Sequence, residues 1–136
     1  MAYAALDIIV NSAPDKVWAT CGAFDSPAQW HPVVSKVDLA ADGVTRTMTL
    51  ANGQVIVERE TSRSEEGMSY TYVIVQSGMP ISTFVGQFQV MGLGTVSKIV
   101  WSADFDPAPG VTAAAATAMV ERMLLSAGPA LSERFG

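Results

Sequence analysis

The sequence predicts an α+β fold: an antiparallel sheet of about seven strands packed on a long C-terminal helix, with two short helices after the first strand. Three observations carry this. Residues 33–105 alternate apolar and polar side chains with a period of two, cut by turn signals. Residues 111–135 carry one apolar stripe at helical spacing. Ahead of the sheet, Ser12-Ala13-Pro14 and Ser26-Pro27 each resemble a cap followed by a first-turn proline.

In chain order, residues 3–10 (Tyr-Ala-Ala-Leu-Asp-Ile-Ile-Val) read as the first strand. Ser12 is a candidate N-cap, Asp15 complements the positive helix end, and Val17, Trp18 and Cys21 fall at helical spacing, so residues 14–22 form a short helix. A second, very short helix covers 27–30, and His31, which precedes Pro32, leaves it in extended geometry. Val33–Leu39 is a strand and Asp42-Gly43 a turn, followed by a strand ending at Leu50. Asn52-Gly53 is the strongest hairpin signal, and a type I′ turn is expected there. With that two-residue loop, Leu50 faces Val55, Met48 faces Val57 and Arg46 faces Arg59, which puts two arginines on a largely apolar face. A β-bulge would exchange Arg59 for Glu58. Residues 62–67 read as a loop; 69–76, 83–91 and 95–105 read as strands. In the last of these, Ile99, Trp101, Ala103 and Phe105 share one face, with Lys98, Ser102 and Asp104 opposite. In the C-terminal helix, Val120, Leu124, Ala127, Leu131 and Phe135 form the stripe, Met119 and Met123 lie beside it, and Pro129 predicts a kink.

The bulk numbers exclude several functions. A chain of 136 residues, 49% hydrophobic and 15% charged, suits one domain over 1–136 with one core. A net charge of −5 argues against a nucleic-acid partner. No apolar run approaches the roughly 18 residues of a membrane span, and the N-terminus lacks a secretory signal, so a cytoplasmic protein is expected. One His and one Cys rule out a His/Cys metal cluster. Neither a G-x-G-x-x-G nor a P-loop is present, so no metal, nucleotide or bound redox cofactor is expected. Cys21, within Val17-Trp18-Ala19-Thr20-Cys21, reads as a buried core thiol.

The element order, with Ala13-Pro14-Asp15-Lys16-Val17-Trp18, Phe24-Asp25, Trp30-His31-Pro32, Arg46-Thr47-Met48-Thr49-Leu50, Val57-Glu58-Arg59, Tyr70-Thr71-Tyr72 and Val100-Trp101-Ser102, resembles the polyketide cyclase/dehydratase branch of the SRPBCC (START-like, Bet v 1-like) superfamily. The resemblance implies the helix-grip fold, in which a curved sheet grips the C-terminal helix around a cavity for hydrophobic ligands. It fixes the fold further than the function.

The candidate site follows from both readings. Met48, Tyr70, Tyr72, Phe84, Phe88, Trp101, Met119 and Met123 form an inner-face set that either lines an adaptable apolar pocket or fills a core. Trp30 stands on a rigid lip beside the entrance. His31 is the natural acid or base near neutral pH, or else a structural residue that caps the short helix or bonds Asp25. Arg46 or Arg59, with Tyr72 or Tyr70, would stabilise a developing oxyanion. Alternatively, an arginine would pair with Glu58 or Glu121 as an ordinary ion pair. The expected partner is a small hydrophobic or aromatic molecule, bound by a monomer or homodimer. The expected function is binding of that molecule, with cofactor-independent cyclase, dehydratase, isomerase or lyase chemistry if His31 titrates in the pocket. The alternative is a non-catalytic carrier or sensor of a lipid, hormone-like or aromatic molecule.

Overall fold

A computed structural model describes residues 1–136. It contains strands β1 (Ala2–Val10), β2 (Val34–Leu39), β3 (Thr45–Leu50), β4 (Val55–Ser64), β5 (Ser69–Gln76), β6 (Ile81–Leu93) and β7 (Val96–Pro107). The helices are α1 (Pro14–Cys21), α2 (Pro27–Trp30), α3 (Ala113–Leu125) and α4 (Ala127–Phe135). The strands form one antiparallel sheet in the order β1-β7-β6-β5-β4-β3-β2. The sheet is curved and grips the C-terminal helices, as in the helix-grip fold. Both helices pack on β1, and α3 also packs on β7. No helix is long and apolar enough to cross a membrane.

The period-two pattern becomes the inner face directly. Ile99, Trp101, Ala103 and Phe105 of β7 are all buried, as are Phe84, Phe88 and Val90 of β6. They meet the predicted helical stripe, Val120, Leu124, Ala127, Leu131 and Phe135, which is buried throughout. Burying one such side chain contributes roughly 1.5–3 kcal/mol, so this seam favours closing the sheet on the helix. Gly86 stands opposite Tyr72 in the β5–β6 ladder. The Tyr72 ring lies where a Cβ on residue 86 would project, so glycine is needed there for the ring to lie flat on the strand.

Four local expectations are corrected. The β3–β4 hairpin has a three-residue loop, Ala51–Gly53, closed by Leu50 N–H to the Gln54 carbonyl. Gly53 takes the left-handed position (φ 87°) that a three-residue loop requires. This moves the register by one, so Arg46 faces Glu58 and Thr45 faces Arg59. The C-terminal helix breaks at Ser126, not at Pro129. Pro129 has no N–H for the Leu125 carbonyl and its ring crowds that carbonyl, so the disruption falls one turn earlier. Neither Ser12 nor Ser26 caps a helix through its side chain. Ser12 Oγ instead donates to the Phe135 carbonyl, joining the start of the chain to its last helix. The expected loop at 62–67 is strand as far as Ser64, where β4 continues beside β5 through two register shifts.

One departure from regular pairing positions the site. The β5–β6 ladder ends at Val73 and Val85. Beyond it, residues 74–76 stay with β4 while residues 81–84 follow β7. The turn between them is thereby free to lean inward, and it carries Met79 towards the tip of the β3–β4 hairpin.

Candidate functional site

Two spaces lie between the sheet and α3. The larger is an open cleft of about 300 Å³ walled by Val33, Leu50, Met79, Met119 and Met123, with Ala51, Asn52, Gln54, Arg122 and Ser126 at its sides. The smaller is an enclosed void of about 10 Å³ bounded by Pro27, His31, Val34, Arg46, Met48 and Trp101. Val33, Leu50 and Met123 border both, so they form the wall between cleft and void.

The aromatic residues of the inner face fill the interior. Tyr70 stacks on Phe88 at 5.6 Å, Phe84 on Phe105 at 6.3 Å, and Trp30 meets both Phe88 and Trp101 at about 5.5 Å. Trp101 Nε1 donates to the Tyr72 hydroxyl at 2.8 Å, and Trp30 Nε1 donates to Ser26 Oγ at 2.9 Å. Of the residues singled out in the sequence, only Met119 and Met123 reach the cleft. His31, Arg46, Met48, Trp101 and Met123 reach the void, whereas Trp30, Glu58, Tyr70, Tyr72, Phe84 and Phe88 border neither. Burial raises the hydroxyl pKa of both Tyr70 and Tyr72, so they stay neutral.

Arg46 and Glu58 form a buried ion pair, 1% and 2% exposed. The guanidinium donates to Glu58 Oε1 from Nε at 2.9 Å and from Nη2 at 2.6 Å. Its Nη1 donates to the Phe24 carbonyl at 2.8 Å and reaches the Tyr70 hydroxyl at 3.5 Å. The Phe24 ring stacks against it at 4.0 Å. Burial opposes the arginine's charge, but Glu58 and the two tyrosine hydroxyls outweigh it and hold the group above its ordinary pKa. Every donor arm of Arg46 is therefore engaged. Arg59 is exposed on the outer face and is withdrawn as a candidate for the interior.

His31 is buried at the hinge between α3 and α4. Its Nε2 lies 2.8 Å from the Met123 carbonyl oxygen, which can only accept, so Nε2 carries the proton. Nδ1 accepts the Val33 N–H at 3.2 Å. Both ring nitrogens are committed in the neutral form. Desolvation depresses its pKa, and the hydrogen bond to Met123 opposes that only in part. The ring stacks edge-on against Trp101 at 5.6 Å and does not bond Asp25. On its outer side, Glu133 and Arg134 of α4 border a shallow polar groove.

Cys21 is a buried thiol with its pKa pushed up to about 12 by desolvation, so it carries no nucleophile at neutral pH. No three His, Cys, Asp or Glu side chains gather to ligate a metal.

The sequence reading missed Val33, Leu50, Asn52, Gln54, Met79, Arg122 and Ser126 as cleft residues. Part of the signal was present: Met119, Arg122, Met123 and Ser126 repeat at i, i+3, i+4 and i+7, a second stripe beside the buried one. Met79 had no such signal, because its position depends on the splay of β5 from β6.

Residues 1–128 match the family described as polyketide cyclase / dehydrase and lipid transport. The XoxI protein from Bacillus cereus is 26% identical, with a TM-score of 0.94 over 99% of this chain and 96% of its own. A protein from Thermobifida fusca is also 26% identical, with a TM-score of 0.84 over 100% of this chain and 94% of its own. The Zhui aromatase/cyclase of a Streptomyces species is 14% identical, with a TM-score of 0.81 over 97% of this chain and 92% of its own, a likeness of fold alone. No curated protein matches the sequence.

Proposed function

The chain belongs to the polyketide cyclase / dehydrase and lipid transport family, and from that premise we propose that it binds one small, mostly apolar organic molecule in the cleft between the β3–β4 hairpin, the β5–β6 turn and α3. The observation that carries this is the wall of three methionines, Met79, Met119 and Met123, in an opening of about 300 Å³. Methionine side chains reshape around an apolar guest at little cost, and their exposure to water is otherwise unfavourable. Met119 is 39% exposed, beside the buried stripe of Ala116, Val120 and Leu124.

The geometry favours a carrier or sensor. His31 and Arg46 keep all their polar atoms in internal hydrogen bonds, so neither is free to move a proton or hold an oxyanion without first breaking one. A second reading, cofactor-independent acid–base chemistry, draws on the fact that both residues border the same void next to Trp101. On that reading, His31→Gln lowers turnover of a cognate substrate by at least about a hundredfold; unchanged turnover removes His31 from the chemistry.

Native mass spectrometry of freshly purified protein, followed by amide-resolved NMR titration with neutral apolar compounds, tests the binding reading. The expected result is saturable binding with shifts centred on Leu50, Met79, Met119 and Met123. Bare chain mass together with no saturable shift from any compound would overturn it.

A further inference from the structure

The cleft has one charged wall residue, and we propose that it selects the ligand's chemical class: a monoanionic amphipath, a carboxylate on a short apolar body, with the carboxylate at Arg122 and the apolar end directed inward past Met123. This inference rests on the binding reading above and specifies its ligand.

Of the five arginines, only Arg59 and Arg122 are free of partners, and Arg59 lies exposed on the outer face away from the cleft. Arg46 is committed to Glu58, Arg63 to Glu60 and Glu65, and Arg134 to the Gln29 carbonyl, whereas Arg122 makes no ion pair or side-chain hydrogen bond. Arg122 is exposed and borders the cleft, and no carboxylate lines that cleft. In a chain of net charge −5 this is a local inversion of sign. A planar guanidinium with all its donors available matches a carboxylate in bidentate geometry.

Orientation follows from the other end. Beyond the shared wall of Val33, Leu50 and Met123, the void offers no free donor, because no buried side-chain polar atom lacks a partner. An anion placed there would lose its hydration with nothing to replace it. The charged end therefore stays at the rim, and the apolar end faces the methionines.

Size narrows the class further. At roughly 30 Å³ per water-sized group, a space of about 300 Å³ takes on the order of ten heavy atoms. That admits one short chain or a fused ring system and excludes a two-chain lipid. Octanoate is of this size, and octanamide is its neutral isostere.

The test is a pair of NMR titrations of the full chain at neutral pH and low salt, with octanoate and with octanamide. Wild type is expected to bind octanoate roughly three- to tenfold more tightly, the range for a charge-assisted contact at a partly exposed site. In Arg122→Gln the ratio falls to about one, and in Arg122→Lys most of it is retained. Raising the salt to about 1 M, where charges are screened within about 3 Å, also brings the ratio towards one. Because Arg122 is exposed and unpartnered, both variants keep the wild-type amide spectrum. Equal affinities in wild type, or a preference that survives Arg122→Gln, overturn the anion assignment and leave the binding reading standing. Absence of saturable binding by either compound overturns the short-carboxylate assignment, while the binding reading stands or falls with the wider set of apolar compounds.

Discussion

Replacing Glu58 by Gln changes one oxygen to nitrogen in a side chain only 2% exposed. Shape is preserved, so the loss is electrostatic. The Arg46 guanidinium stays charged and loses its counter-ion: both hydrogen bonds, at 2.9 and 2.6 Å, end on Oε1, where an amide oxygen still accepts them but carries no charge. Leaving one charge of a buried pair uncompensated costs about 3–5 kcal/mol. Against a total stability of about 5–15 kcal/mol this is a large fraction, and it corresponds to a fall in Tm of roughly 10–20 °C. Urea unfolding followed by tryptophan fluorescence reads it directly, since Trp30 and Trp101 are both in the core. The double variant Arg46→Met/Glu58→Leu removes both charges together. It leaves the Phe24 carbonyl without its Arg46 donor, at about 1–3 kcal/mol, and is expected to be more stable than Glu58→Gln. A Glu58→Gln protein within about 1 kcal/mol of wild type, or a double variant less stable than the single one, would refute the reasoning.

Two further predictions use the same assay. The pKa of His31 is depressed in the folded state, so its stabilisation is present above the unfolded value of about 6.5 and is lost as pH falls through that value towards the folded one. Wild type minus His31→Gln should therefore show a stability difference that shrinks on acidification below about pH 6.5, with a slope approaching 1.4 kcal/mol per pH unit. Parallel profiles from pH 7.5 to 5 would show that the ring does not couple to folding. Gly86→Ala places a methyl inside the Tyr72 ring, which must swing away and release the Trp101 indole N–H. The expected loss is about 1–3 kcal/mol for the overpacking and about 1 kcal/mol for the hydrogen bond. A change below about 0.5 kcal/mol would mean that the ring does not rest on the strand.

Much of the fold was legible because its periodicities are clean. The Ile99-Trp101-Ala103-Phe105 alternation and the Val120-to-Phe135 stripe each specify one buried face without reference to the rest of the chain. The hairpin register was not. Asn52-Gly53 suits a two-residue loop locally, and a three-residue loop with Gly53 left-handed is nearly as good. What distinguishes them lies across the strands, where one register opposes Arg46 to Arg59 and the other to Glu58. The site was legible in composition but not in position. Whether aromatic residues on one face enclose space or fill it depends on ring orientations. Here the rings meet at 5.4–6.4 Å and close the interior, leaving the open volume to methionines at the rim.

The pairing of β1 with β7 sets an order of events during synthesis. β1 precedes the other six strands of the sheet and carries Leu6, Ile8 and Val10, which pack beneath α3 and α4. Its only ladder partner follows after all the other strands, and the helices that cover it come last of all. At ribosomal speeds of about 5–20 residues per second, β1 waits roughly 4–20 s as an unpaired apolar strand. Strands β2 to β6 can meanwhile zip hairpin by hairpin between neighbours in sequence. Until β7 emerges, the topology lets a five-stranded meander form while β1 has no ladder partner, the interval in which an apolar strand is most open to wrong pairing.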